Sequence, residues 1–267
     1  MHQTPPPSIA QTADAPEQAG FGAGNAAPAF SPLYQQIKGL MLKSLQAGEW
    51  RPGEAIPSEM DLAVRFRVSQ GTVRKAIDEL AAENLLARRQ GKGTFVATHA
   101  ERHVQYRFLK LIPDHGDPDS EGPAQRRIVD CKRLRATADT ARALAMRPGD
   151  PVLQLRRVLS FANKATILED IWLPGGPFKG LTADRLSAHQ GPMYALFETE
   201  FGMRMVRAEE KIRAVLPDIE QAGLLGVVPN TPLLSVERIA YTYDDKAMEL
   251  RRGLYRTDKH YYRNELS

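Results

Sequence analysis

From residue 33 onward, apolar positions recur three and four apart: Leu33, Ile37, Leu40, Met41 and Leu45. That spacing predicts an amphipathic helix. Ser31-Pro32 supplies a cap and a first-turn proline, and Gly48, followed by the turn Arg51-Pro52-Gly53, ends it. A shorter helix opens at Ser58, which can form a capping box with Asp61 and buries Leu62, Ala63 and Phe66. Only Arg67-Val68 separates it from Ser69, the expected cap of a third helix whose inward face is Val73, Ile77 and Leu80. Asn84 suits a left-handed stop. Two short strands follow, Leu86–Arg89 and Thr94–Ala97, joined at Gln90-Gly91-Lys92-Gly93.

The second half changes period. Leu144 to Val158 aligns with Leu225 to Ile239 at an offset of 81 residues, with Pro148, Pro151 and Arg157 matching Pro229, Pro232 and Arg238. Each copy reads as a short helix, a proline turn and a hairpin of two strands, so two copies predict an antiparallel sheet with a pseudo-twofold. Met193–Phe201 between them has helical spacing. In the first copy Leu153, Leu155, Arg157, Leu159 and Phe161 share a face, as do Ile167, Glu169, Ile171 and Leu173. A loop of Ala162-Asn163-Lys164 puts Arg157 opposite Glu169, one charge from each strand on an apolar surface. Such charges are costly unless paired, either with each other or with a ligand. In the second copy Arg238 lies among Leu234, Val236 and Ala240, and Glu249 falls across from Ala240 with Tyr255 on its own face.

The expected class is therefore α+β, with a small helical unit before an antiparallel sheet. Boundaries are expected at 1–30 (a disordered tail of Pro, Ala, Gln and Gly), 31–97, 98–127 (a linker) and 128–267. The linker's acidic run Asp114–Glu121 lacks the alternation of a calcium loop.

Composition narrows the chemistry. At 42% apolar and 25% charged, and with no run near the roughly 18 apolar residues of a membrane span, the chain reads as a soluble globular protein. No basic stretch followed by an apolar run opens the sequence, so no secretory leader is expected, and the single cysteine, Cys131, excludes an internal disulfide, which fits a reducing cytoplasm. The net charge of +4 permits a nucleic-acid partner without demanding one. No nucleophile–base pair, metal-ligand spacing or phosphate-binding glycine loop is present, so no cofactor, no metal and no enzyme activity are expected.

The order helix, helix, tight turn, helix, wing is that of a winged helix-turn-helix, whose second motif helix enters the major groove of double-stranded DNA. Gln70, Gly71 and Arg74 then face the groove, Thr72 and Lys75 flank them, Ser58 and Ser69 suit phosphates, and Lys92 can enter a minor groove. The motifs Leu33-Tyr34-Gln35-Gln36-Ile37, Pro57-Ser58-Glu59, Val68-Ser69-Gln70-Gly71-Thr72-Val73-Arg74 and Arg88-Arg89-Gln90-Gly91-Lys92-Gly93-Thr94 resemble the GntR family of bacterial regulators. The resemblance implies homodimers on palindromic operators, with Glu59, Thr72, Arg74 and Gly91 at the interface and Tyr34 and Gln90 beside them. Gln70 and Met60 stand where many members carry Arg, which implies an operator unlike the common family consensus.

Residues 125–265 resemble the effector (UTRA) domain of the HutC subfamily, related in fold to chorismate lyase, through Leu155-Arg156-Arg157-Val158, Ile167-Leu168-Glu169-Asp170-Ile171-Trp172, Met193-Tyr194, Met248-Glu249 and Tyr255-Arg256-Thr257-Asp258. The resemblance implies effector contacts at Arg157, Glu169, Glu249 and Tyr255. Leu159 replaces a second Arg common in members that bind sugar phosphates, which favours a small carboxylate or polar metabolite. The expected function is a repressor released from DNA by such an effector. The alternatives are a constitutive DNA-binding regulator and an enzyme built on the lyase-like domain.

Overall fold

Capping fixes the helices of the first unit in the computed structural model, which describes residues 31–99, 111–115 and 122–264. The expected tail and most of the expected linker lie outside them, as does the acidic run beyond His115. Ser58 and Asp61 close both halves of a capping box at the start of α2 (Glu59–Phe66), and Arg67 ends it in the left-handed region at φ 54°. Ser69 then caps α3 (Gln70–Ala82), which buries Val73, Ala76, Ile77 and Leu80. The preceding α1 (Leu33–Gln46) buries the row Ile37, Met41 and Leu45, while Leu33 and Leu40 are exposed, so the buried stripe is narrower than the sequence suggests. The wing pairs β1 (Leu86–Arg89) with β2 (Gly93–Val96). The second strand starts one residue earlier than expected because Gly93, at φ 105°, still pairs with Arg89. The Glu54–Ile56 segment joins on the other side of β2: the Val96 amide donates to the Glu54 carbonyl (2.8 Å) and the Ile56 amide to that of Thr94 (2.9 Å).

The remainder runs β3 (Leu111–Pro113), β4 (Gln125–Arg135), α4 (Ala138–Ala143), β5 (Pro151–Phe161), β6 (Lys164–Pro174), α5 (Ala183–Ala188), α6 (Met193–Phe201), β7 (Arg207–Val215), α7 (Ile219–Leu225), β8 (Leu233–Tyr241), β9 (Ala247–Tyr255) and β10 (His260–Tyr262). Six strands form one antiparallel sheet in the order β4-β5-β6-β9-β8-β7. The repeat in the sequence is thus a repeat in space: β4-α4-β5-β6 and β7-α7-β8-β9 are equivalent halves, joined at the central β6–β9 pair. Neither β4 nor β7 is evident from periodicity. β3 and β10 form a separate two-stranded sheet, with Leu111 packed against Leu159, Phe161 and Ile167.

The sheet is covered on both faces. On one, Leu186 of α5 and Met193, Leu196 and Phe197 of α6 pack with Leu153, Leu155, Ile171 and Leu173. On the other, α4 covers Val152 and Leu250, and α7 covers Val158, Leu168 and Leu233. The first hairpin corrects one expectation. Its loop is two residues, Ala162 and Asn163, both left-handed at φ 46° and 61°, as the right-handed twist of the strands favours. Phe161 therefore faces Lys164, and an extra residue, Thr166, between the partners of Ser160 and Leu159 restores the pairing of Arg157 with Glu169.

Ala162 holds a backbone conformation that costs an L-residue about 1 kcal/mol and its side chain is exposed. We expect Ala162→Gly to raise unfolding stability by about 0.5 kcal/mol, measured by urea denaturation, once glycine's own entropy is subtracted.

Candidate functional site

The candidate side chains fall into two groups, one on the winged helix and one inside the sheet domain. On the first, the Glu59 carboxylate is the organiser. It accepts from Gln70 Nε2 (3.1 Å), Arg74 Nε (2.9 Å) and Arg88 (3.1 Å), tying α2, α3 and the wing together. Arg74 is the strongest of the influences that hold the Glu59 carboxyl below the usual carboxylate range. Arg88 also donates to Asp78 at 2.7 Å. Arg74 remains exposed, so the pairing aims the guanidinium without hiding it. Lys75 Nζ sits 3.9 Å over the Tyr34 ring, which fixes its ammonium beside α1. Ser69 Oγ accepts from the Thr72 amide (3.2 Å) and Ser58 Oγ from that of Asp61 (3.2 Å). A methyl group on Gly71 would meet nothing nearer than Ser69 Oγ at 3.9 Å, so nothing within the fold calls for glycine there. Gln90, Gly91 and Lys92 are exposed at the wing tip, with Gly91 at φ 70°. Arg88 is the participant the sequence reading left without a role.

The second group lies on the inner face of the sheet. Arg157, Glu169, Glu249 and Tyr255 all lie there, all buried. Arg157 Nε donates to Glu169 Oε2 at 2.6 Å, as the register predicts. Glu249 is bonded within the same row. It accepts from Arg251 (2.9 and 3.0 Å) and from the Tyr194 hydroxyl (2.7 Å). Arg251 reaches on to Glu169 Oε1 at 2.8 Å. Arg238 donates to Glu210 of β7 at 2.7 Å, and Tyr262 donates to the same carboxylate. Burial by itself would raise the Glu169 carboxyl, but Arg157 and Arg251 outweigh it and hold it at about 2. Arg126 of β4 donates to the carbonyls of Leu186 and Gly191. Burial, with repulsion from Arg157, lowers its guanidinium to about 10.

This charged row divides the inner face. On one side is the cluster under α6. On the other, Leu159, Phe161, Ile167, Val236 and Tyr255 pack together. Gly253 sits directly across from Glu169, and a Cβ there would come within 2.4 Å of the Tyr255 ring. The glycine is what lets Tyr255 fold back over the row. Arg251, Tyr194, Glu210 and Arg126 escaped the sequence reading as site residues. Arg251 was findable, since it shares the alternation of Glu249 and Tyr255. The others stand on elements far away in sequence.

Residues 33–96 match the family described as bacterial regulatory proteins, gntR family, and residues 122–261 match the UTRA domain. PhnF, an HTH-type transcriptional repressor of Mycolicibacterium smegmatis, is 34% identical over 212 residues, 78% of this chain and 83% of its own. The chain belongs to the GntR family. MngR of Escherichia coli, a repressor of a mannosyl-D-glycerate transport/metabolism system, is 29% identical over 85% of this chain and 92% of its own. A ligand-binding domain from Bordetella bronchiseptica, described as that of a GntR-family transcriptional regulator, is 54% identical with a TM-score of 0.59, covering 61% of this chain and all of that one. The solved structure of PhnF from Mycobacterium smegmatis covers 86% of the chain and 99% of its own at 30% identity and a TM-score of 0.51. A GntR helix-turn-helix followed by a UTRA domain is the arrangement of a DNA-binding transcriptional regulator of the HutC type, not of an enzyme. No helix among the described residues is long and apolar enough to cross a membrane.

Glu169 anchors two buried arginines, so Glu169→Gln should cost about 3 kcal/mol in urea denaturation, the usual range for removing one partner of a buried ion pair. The sign with pH follows from the lowered carboxyl. Its stabilisation is present above the ordinary carboxylate value near 4.5, and is lost as pH falls toward about 2. The variant should lose that part of the wild type's acid sensitivity.

Proposed function

We propose that this GntR-family member is a repressor that leaves its operator when a small carboxylate or polar metabolite enters the charged row of the sheet domain. The observation that carries this reading is the row itself: arginines, glutamates and tyrosines held inside the sheet domain between two apolar clusters. Arg157 anchors the ligand's negative group, and Glu169, Glu249 and Tyr255 take its polar atoms. Leu159, where an arginine would suit a phosphate, keeps the ligand class away from phosphorylated sugars. In this reading residues 31–97 read DNA, residues 128–267 with the start of β4 bind the effector, and the protein works in the cytoplasm.

Groove contacts fall to Gln70, Gly71 and Arg74, with Ser58, Ser69, Thr72, Lys75 and Tyr34 on the backbone and Gln90, Gly91 and Lys92 at the wing. Glu59 aims Arg74. A homodimer matches two such units to a palindrome. Ile212 and Leu216, at and just beyond edge strand β7, and Ile219 and Val228 nearby are exposed apolar side chains suited to a second copy. An effector shifts DNA affinity only as far as it binds the two arrangements differently. A second reading, a constitutive regulator, has one observation in its favour: Arg157, Glu169, Glu249 and Arg251 already satisfy one another.

The test is a titration of the purified chain on its own upstream DNA, with selection of preferred sites and a metabolite library. We expect nanomolar, sequence-specific binding to a palindrome unlike the common family consensus, relieved by one compound. Arg74→Ala should cost about 1–3 kcal/mol and relax preference at one base position, whereas Lys92→Ala should weaken all sequences alike and lower the salt slope by about 1. Binding that no metabolite relieves supports the constitutive reading.

A further inference from the structure

The winged helix and the sheet domain meet at a buried joint. Thr98 and His99 lie just past the end of β2, after Ala97. Thr98 Oγ1 donates to Glu198 Oε2 at 2.7 Å and the His99 amide donates to the same oxygen at 2.9 Å. From the other side, Arg204 donates to the carbonyls of Asn84 (2.9 Å) and Leu85 (3.2 Å), just beyond the end of α3. A guanidinium there also complements the negative end of that helix's dipole. Glu198 Oε1 and Arg204 Nε stand 3.5 Å apart. Both atoms are buried, and neither has a hydrogen-bond partner among the described residues. The joint is therefore closed but not fully satisfied, the condition under which a second arrangement can compete.

Glu198 belongs to α6, and Tyr194 stands four residues before it on the same helix face. Tyr194 donates to Glu249 in the charged row, and its ring lies 5.5 Å from the ring of His99. We propose that α6 is the lever by which occupancy of the charged row reaches the recognition helix: Tyr194 reports on Glu249, and Glu198 with Arg204 grips the exit of the wing and the end of α3. A ligand that engages Glu249 or Arg251 frees the Tyr194 hydroxyl. The helix then shifts as a rigid rod and carries the Glu198 grip on Thr98 and His99 with it. This rests on the reading of the row as an effector site.

Spatial continuity alone does not demonstrate coupling, so the test is a cycle. Amide hydrogen exchange is followed in the full chain for wild type, Tyr194→Phe, Glu198→Gln and the double variant, together with affinity for the upstream DNA. Tyr194→Phe should speed exchange at His99 and at residues 84–86 by roughly tenfold, the effect of one lost bond to a charged group. In the Glu198→Gln background it should add less than about twofold. Additive effects overturn the proposal, as does faster exchange confined to the surroundings of Glu249. Should Glu198→Gln fail to fold, Tyr194→Phe and Glu249→Gln decide by the same exchange pattern. A wild type that ignores its upstream DNA would sink the functional reading, while the exchange cycle would still decide the coupling.

Discussion

A buried carboxylate between two buried guanidiniums, Arg157–Glu169–Arg251, is the constraint around which the sheet domain is built. Removing a single ion from water costs several kcal/mol, comparable with what one or two fully buried aliphatic side chains contribute. The fold meets that cost by register. The two-residue turn at Ala162-Asn163 and the extra residue at Thr166 bring Glu169 opposite Arg157. The alternation of β9 then sets Glu249, Arg251 and Tyr255 on the same inner face. Gly253 gives up its side chain so that Tyr255 can cover the row.

The pseudo-twofold explains why the row spans the centre of the sheet. Each half contributes an arginine at the equivalent strand position, Arg157 and Arg238, but the halves pair them differently. Arg157 meets a glutamate of its own hairpin partner, whereas Arg238 meets Glu210 on the edge strand. The duplicated scaffold thus presents an asymmetric set of donors and acceptors. A small polar molecule with distinct ends could be read in one orientation there. On the DNA side the same economy recurs, since one carboxylate, Glu59, orients side chains from α3 and from the wing.

Much of this was legible in the sequence for identifiable reasons. Serine caps, glycine turns and helical periodicity placed the winged helix nearly to the residue. The internal repeat and the alternation about Arg157 and Glu169 placed the inner strands and the central ion pair. The edge strands were hidden because they have no comparable pattern. In β4 the pairing slips between Ile128 and Asp130, which breaks the period of two at Val129, and all of its residues are exposed or half-buried. The long-range polar contacts were equally hidden, because the Tyr194 hydroxyl finds Glu249 across 55 residues of chain. Periodicity assigns a residue to a face but cannot say which distant element will lie over it.

A charged row that is a receptor rather than a structural staple must respond to a ligand. Thermal unfolding of the full chain across a panel of small carboxylates, neutral polar metabolites and sugar phosphates tests it most directly, with Arg157→Lys run alongside. At least one carboxylate or polar metabolite should raise the wild-type midpoint by several degrees, about what 1–2 kcal/mol of binding energy gives. Arg157→Lys, which loses the planar fork while keeping the charge, should abolish that shift. A panel that leaves the wild type unmoved, or a sugar phosphate as the tightest ligand, would contradict that role for the row.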